Sequence, residues 1–285
     1  MRNVAVPPAD QLWPALGLGT WRMGESGRKR REEIAAVRLA LELGYRLIDT
    51  AEMYGDGGAE EVVGAALAEA LRAGDLRRED VILVSKVLPS NASAAGVRAA
   101  CERSLRRLGI DHVDLYLLHW PGSHPLSQTI AGFEALQARG AIARWGVSNF
   151  DFAAMHELVA LPGGGACAAN QVYYSLGERG VDFDLLPWQR RRGLPLMAYC
   201  PIDQGALARD ARLTALARPL GLSAAQLALA WAIRDGGVVA IPKAVREAHL
   251  RDNLIAGSFE LDVATRVAID RLYPPPRKAQ RLAVI

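Results

Sequence analysis

Cysteine is scarce in this chain. Cys101, Cys167 and Cys200 are odd in number and widely spaced, which excludes a disulfide framework and a zinc pattern and fits a reducing compartment. Lysine is scarcer than arginine, with four lysines (Lys29, Lys86, Lys243, Lys278) against thirty arginines. No Lys/Arg block is interleaved with aromatics, which argues against a nucleic-acid surface. The densest basic run, RKRREE at 28–33, leads into acids and suits a solvated helix end. No uninterrupted apolar run is long enough to cross a bilayer, and the opening stretch MRNVAVPPADQLWP has no apolar signal core. A cytoplasmic location and no membrane association are therefore expected. Nor does a G-x-G-x-x-G follow the first strand, where GLGTWRMG has the wrong spacing for an open dinucleotide-binding sheet.

What the chain does have is a period. Short apolar runs, each followed by a helical pattern, recur eight times: 15–20 with 31–43, 45–50 with 58–72, 81–87 with 94–108, and 113–119 with 127–139. The series continues with 143–149 and 151–160, 168–174 and 183–192, 194–200 and 223–234, and 238–243 and 245–256. Strands apolar on both faces and alternating with helices make a parallel sheet, and eight units fit a closed (β/α)8 TIM barrel. The first residues are expected to form a short N-terminal hairpin, and 262–272 an extra C-terminal helix. No linker composition interrupts residues 1–285, so a single barrel domain is expected.

Active sites in such barrels lie at the C-terminal ends of the strands. Those ends carry Asp49, Lys86, His119, Ser148, Asn149, Gln171, Tyr199 and Lys243. Taken singly, each is as well explained by a turn, a cap or a solvated surface. Together they are not, and two of only four lysines fall among them. An ammonium responds to burial in a way a guanidinium does not. Asp49 is placed to keep Lys86 charged, and Lys86 is expected to lower the pKa of Tyr54, a phenol five residues beyond Asp49 in a Gly-rich stretch. His119 can orient a carbonyl or share the proton.

The motifs then add up to a resemblance. GLGTW (17–21), LIDTAEMYGDGGAEEVVGAAL (47–67), SKV (85–87), DLYLLHWP (114–121), RWGVSNF (144–150), NQVYY (170–174), MAYCP (197–201) and IPKAVREAHLRDN (241–253) resemble the aldo-keto reductases in order and spacing, over nearly the whole chain. The similarity is greatest to bacterial members that reduce small aldehydes and dicarbonyls of the methylglyoxal kind. The resemblance implies a barrel binding NADPH without a Rossmann motif, NADH being a weaker substitute. It implies a catalytic tetrad of Asp49, Tyr54, Lys86 and His119, and no metal. It also implies that Ser148, Asn149 and Gln171 bind the nicotinamide carboxamide while Tyr199 stacks on the ring.

Around the adenosine phosphate the resemblance implies Lys243, His249, Asp252 and Asn253. Ala244 replaces the family's serine there, His249 takes an arginine position and would carry charge only below neutrality, and Arg246 or Arg251 is expected to compensate. Cys200 stands where a serine commonly helps with the pyrophosphate. Trp21 and Trp120 are expected to line the substrate pocket, with Met53 and Trp188 as further candidates. Short segments after the fourth barrel strand and in the tail suit small carbonyl substrates, and a monomer is expected. Two other classes stay open at this stage. One is a slow-turnover cofactor-binding regulatory subunit. The other is a barrel hydrolase pairing Asp49 or Glu52 with another carboxylate, although the strand ends offer one obvious acid.

Overall fold

The computed structural model describes residues 2–7 and 11–285. Its first element is an antiparallel hairpin of β1 (Asn3–Val6) and β2 (Gln11–Pro14), in which Val4 and Val6 alternate inward and Val4 pairs with the buried Trp13. Eight parallel strands follow: β3 (Leu18–Gly19), β4 (Leu47–Asp49), β5 (Ile82–Val87), β6 (Val113–Leu118), β7 (Ile142–Ser148), β8 (Asn170–Tyr173), β9 (Leu196–Tyr199) and β10 (Val238–Ala240). Each pairs with the next in sequence. The ends meet as well, since Gly17 N donates to Ala240 O (2.9 Å), Ala240 N to Ala15 O (2.8 Å) and Gly19 N to Pro242 O (3.1 Å). The sheet is thus a closed barrel, as the eightfold period implies.

The helices outside it are α1 (Arg30–Glu42), α2 (Gly58–Ala73), α3 (Ala94–Leu108), α4 (Leu126–Ala138), α5 (Phe152–Ala160), α6 (Leu185–Arg191), α7 (Ala211–Ala217), α8 (Ala224–Ala232), α9 (Glu247–Ala256) and the extra C-terminal α10 (Val263–Leu272). Short polar side chains start several of them: Ser93 caps α3, Asp151 caps α5, Ser223 and Gln226 form a capping box on α8, and Asp262 caps α10. Helix α7 was not expected from the sequence. It sits in the long connection after β9, where Asp210 accepts from the amides of Arg212 and Leu213. Among the described residues no single helix is long and apolar enough to cross a membrane.

The glycines of the first strand motif have a packing cause. A Cβ on Gly19 would stand 2.7 Å from the carbonyl oxygen of Ile241, a backbone atom at the seam where the barrel closes. Gly19→Ala must therefore push β3 and the segment after β10 apart. We expect it to cost about 1–3 kcal/mol and to lower Tm by roughly 2–4 °C for each kcal/mol, as measured by thermal unfolding. An unchanged Tm would show that the seam is looser than the backbone hydrogen bonds indicate.

Candidate active site

All six residues of β5 are buried, and Lys86 among them is fully enclosed. Its ammonium has three N–H directions and each meets an acceptor: Asp49 Oδ2 at 2.7 Å, the Thr50 carbonyl oxygen at 2.8 Å and Tyr54 OH at 3.1 Å. Asp49, at the end of β4, receives a second donor on its other oxygen, Gln171 Nε2 at 2.7 Å. The ionised pair is thereby fully hydrogen-bonded, the condition under which a buried pair is tolerated. Burial pushes the Asp49 carboxyl up and the Lys86 ammonium down, and each charge opposes the shift of the other.

Tyr54 reaches the pair because the Gly-rich stretch turns sharply behind it. Gly55 and Gly57 adopt φ of 58° and 89°, and a Cβ on Gly57 would strike the Arg107 side chain at 2.5 Å. The sequence-based expectation that Lys86 lowers the phenol's pKa is not met. Tyr54 is held well above its ordinary value, chiefly by burial, with Asp49 and Cys200 adding to it. The lysine instead orients the phenol. An ammonium can only donate, so the phenol oxygen accepts from Lys86 and its own O–H is free to point elsewhere.

His119, just beyond β6, packs edge-on to Tyr54 with ring centroids 5.7 Å apart. Burial first, and the Lys86 charge second, lower its pKa to about 2, so it is a neutral imidazole. Among the described residues its Nδ1 is sealed and has no partner, and Nε2 makes no protein hydrogen bond on the side of the cavity that His119 lines.

That cavity has a volume of about 680 Å³, within the range of small-molecule sites. Trp21, Met53 and Trp120 line it beside the phenol, Trp21 lying edge-on to Tyr54 at 5.0 Å. Trp188 does not belong to it. That ring is packed among Phe152, His156 and Arg192 on the outside of the barrel. Ser148, Asn149, Gln171, Tyr199 and Cys200 all line the cavity, and their polar groups are already partly engaged with one another. Asn149 donates to the His119 carbonyl oxygen (3.0 Å) and to Ser148 Oγ (3.2 Å), and accepts from Tyr199 OH (2.8 Å). Ser148 Oγ donates to the Gln171 carbonyl oxygen at 2.9 Å. With Nε2 committed to Asp49, the Oε1 of Gln171, a residue that lines the cavity, is the amide acceptor left without a protein donor among the described residues.

Three positions directly after strands or strand-end motifs are non-glycine residues in the left-handed region: Arg22 (φ 63°), Asn149 (φ 60°) and Cys200 (φ 49°). Strained backbone of this kind gathers at functional mouths. Burial pushes the Cys200 thiol up to about 11, so it is a neutral group rather than a nucleophile.

At the other end of the cavity stand Lys243, Arg246, His249, Asp252 and Asn253. Arg251 does not reach it. Its guanidinium is paired with Glu247 on the outer face of α9 at 2.8 Å. Ala244 is buried and offers no hydroxyl. Sequence reasoning also passed over Arg22, Gln204, Arg209 and Ser223, which line the same cavity. The left-handed backbone at Arg22 leaves no mark in the sequence, and Gln204 and Arg209 lie in a connection without periodicity.

The arrangement gives a hydrolase little to work with. Glu52 is turned away from the cavity, accepting from Leu88 N (2.8 Å), Asn91 Nδ2 (3.0 Å) and Arg103 Nη2 (3.3 Å). The acids that line the cavity are Asp49, tied to Lys86, and Asp252 at the far end. A pair of carboxyls about one glycosidic bond apart is not assembled. What the site presents is a protonated phenol and a neutral imidazole side by side, with an open amide acceptor and separate cations further along.

The family described as "Aldo/keto reductase family" matches residues 15–274. Methylglyoxal reductase YeaE of Escherichia coli (strain K12) is 49% identical over 281 residues, covering 97% of this chain and 96% of its own. A crystal structure of an aldo/keto reductase from Klebsiella pneumoniae in complex with NADP and acetate is 46% identical, covers 99% of both chains and superposes with a TM-score of 0.94. A second Klebsiella pneumoniae structure, in complex with NADPH, is 45% identical and covers 100% of this chain and 99% of its own, again with a TM-score of 0.94.

Proposed function

The chain belongs to the aldo/keto reductase family, and from that membership we propose that it reduces small aldehydes and dicarbonyls to alcohols, with NADPH as cofactor and Tyr54 as the proton donor. The observation that carries this reading is the Lys86 ammonium 3.1 Å from the Tyr54 hydroxyl, which leaves the phenol's proton free at the floor of the cavity beside His119. The E. coli relative's name supports the methylglyoxal kind of substrate, and the NADP and NADPH complexes of the Klebsiella proteins support the cofactor. The uncharged wall of Trp21, Met53 and Trp120 suits a short uncharged carbonyl.

The residues present fit the cofactor. Gln171 Oε1 is an open acceptor for a carboxamide N–H, Tyr199 offers a ring face stacked on its other side by Tyr173, and Lys243 and Arg246 offer charge for a phosphate. When bound, NADPH supplies the hydride. This chain does the rest. His119 Nε2 orients the carbonyl oxygen, Tyr54 delivers its proton to that oxygen, and Lys86 with Asp49 holds the phenol in place. Without a hydroxyl at Ala244, the preference for NADPH over NADH is expected to be modest.

The direct test is NADPH oxidation against a panel of methylglyoxal, short aldehydes and ketones. Saturable reduction of the dicarbonyl supports the reading. NADPH binding with no turnover of any carbonyl would replace it by the regulatory-subunit alternative, and absence of binding would sink both.

A pH profile follows from the two proton-bearing groups. Tyr54 stays protonated below a pKa that is well above 10, and His119, lowered to about 2, stays neutral above it. Neither titrates between them. The kcat/KM for reduction should therefore be flat from about pH 5 to about pH 9 when measured with one uncharged aldehyde. An acid limb that vanishes in His119→Gln would show instead that the imidazole gains a proton in the working range.

A further inference from the structure

We propose that Glu52 is a positioning residue for proton delivery, its carboxylate holding the segment that carries Tyr54 against the strand that carries Lys86. The inference rests on the reading of Tyr54 as proton donor and adds the group that sets the phenol's place beside the ammonium.

The three acceptors of the Lys86 ammonium, Asp49 Oδ2, the Thr50 carbonyl oxygen and Tyr54 OH, all belong to residues 49–54. β4 ends at Asp49, so most of that segment lies outside regular structure. It stays beside β5 through two backbone bonds, Thr50 N to Val84 O at 2.8 Å and Glu52 N to Lys86 O at 3.3 Å. The second is long for such a bond. The Glu52 side chain adds to it, Oε1 accepting from the Leu88 amide at 2.8 Å and from Asn91 Nδ2 at 3.0 Å. Backbone and side chain of one residue thus grip β5 on either side of Val87.

That grip reaches the whole proton-delivery group. Tyr54 N donates to Ala51 O at 3.1 Å, so the turn bearing the phenol is closed around Glu52 and moves with it. The Val87 carbonyl oxygen accepts from His119 N at 3.0 Å, which ties the imidazole to the same stretch of β5. Glu52 does not line the cavity and so acts through these neighbours. Its charge has a weaker claim. Oε2 meets Arg103 Nη2 at 3.3 Å, and that guanidinium is 41% exposed. A pair of this kind contributes little, so the reach of Oε1 is the feature that matters.

Two conservative variants of the full chain separate reach from charge. Glu52→Gln keeps an oxygen at the Leu88 amide and loses the charge. Glu52→Asp keeps the charge and withdraws the oxygen by one carbon. The measurement is the single-turnover rate of NADPH oxidation at saturating methylglyoxal, beside a fluorescence titration for NADPH affinity and thermal unfolding as a check of folding. Glu52→Asp should slow the rate at least about 10-fold, because a displacement of ~1 Å at a reacting group costs up to ~100-fold. Glu52→Gln should recover a rate within about threefold of the wild type. Both should bind NADPH within about twofold of the wild type, since Ser148, Asn149, Gln171 and Lys243 stand on other parts of the rim. In a Tyr54→Phe background Glu52→Asp should cost less than about twofold more, the group it positions being already gone, whereas a general structural fault would slow both backgrounds alike. If Glu52→Asp does not fold, Asn91→Ala takes its place by removing one anchor of the same oxygen. It should slow the rate by about 3–10-fold, again only where Tyr54 is present.

The inference is overturned by a shortened or unanchored carboxylate that leaves the rate unchanged, by Glu52→Gln as slow as Glu52→Asp, or by a loss undiminished in the Tyr54→Phe background. A wild type that oxidises no NADPH with methylglyoxal or any short aldehyde, or a Tyr54→Phe variant as fast as the wild type, would instead remove the proton-donor reading on which the inference stands.

Discussion

Tyr54→Phe is expected to lower kcat for carbonyl reduction by ~10²–10⁴-fold, the usual worth of a positioned general acid, while NADPH binds almost as tightly as before. The substitution removes one oxygen and little else. The ring keeps its edge-on contacts with Trp21 (5.0 Å) and His119 (5.7 Å). Lys86 loses one of three acceptors but keeps Asp49 Oδ2 and the Thr50 carbonyl oxygen, so the buried ion pair survives. Gln171, Tyr199 and Lys243 are untouched. A fluorescence titration with NADPH and a steady-state measurement with methylglyoxal separate the two effects. If the variant retained more than about a tenth of wild-type kcat with chemistry shown to be rate-limiting, Tyr54 would not be the proton donor. His119 would then be the leading candidate, its open Nε2 being the nearest alternative.

The strand ends carried most of this site in the sequence. Asp49, Lys86, His119, Ser148 and Gln171 each follow or end an apolar run that would otherwise stop on a turn residue, and the barrel brings all of them to one cavity. Polar residues at the ends of parallel strands are conspicuous because their neighbours are uniformly apolar. The barrel itself was equally legible, since the eight strand-and-helix repeats set its closure, and α3 (Ala94–Leu108) has the bounds expected from the helical pattern at 94–108.

What was hidden depends on distances that no spacing encodes. The third acceptor for Lys86 is a backbone carbonyl, at Thr50, and carries no side-chain signature. Gln171 was expected to bind the nicotinamide carboxamide, and its Nε2 lies on Asp49, from a strand 122 residues away in the chain. The pKa of Tyr54 was misread for a related reason. Sequence shows that a lysine accompanies the phenol but not that both are enclosed, and enclosure is the larger influence on the phenol. Arg251 and Trp188 match plausible roles by position, yet one turns outward to Glu247 and the other packs on the outside of the barrel. Helix α7 is seven residues long, too short for its periodicity to stand out.

Lys86→Met is expected to remove activity and stability together, and a second substitution should divide them. Methionine fills much of the lysine's space but leaves Asp49, 2% exposed, with only the Gln171 amide as a partner. Breaking a buried pair by deleting one member costs about 3–5 kcal/mol, which for a chain of this size lowers Tm by roughly 6–20 °C. The Tyr54 hydroxyl at the same time loses the donor that sets its direction. We expect kcat/KM to fall at least about 100-fold. Adding Asp49→Asn removes the stranded carboxyl and should recover most of the lost Tm, since a buried pair replaced by uncharged groups is often close to neutral in stability. The double variant should nevertheless stay inactive, because nothing then donates to the Tyr54 oxygen. A double variant that regained both Tm and turnover would show that the ammonium serves folding alone, and Lys86 would have to be withdrawn from the proton-delivery site.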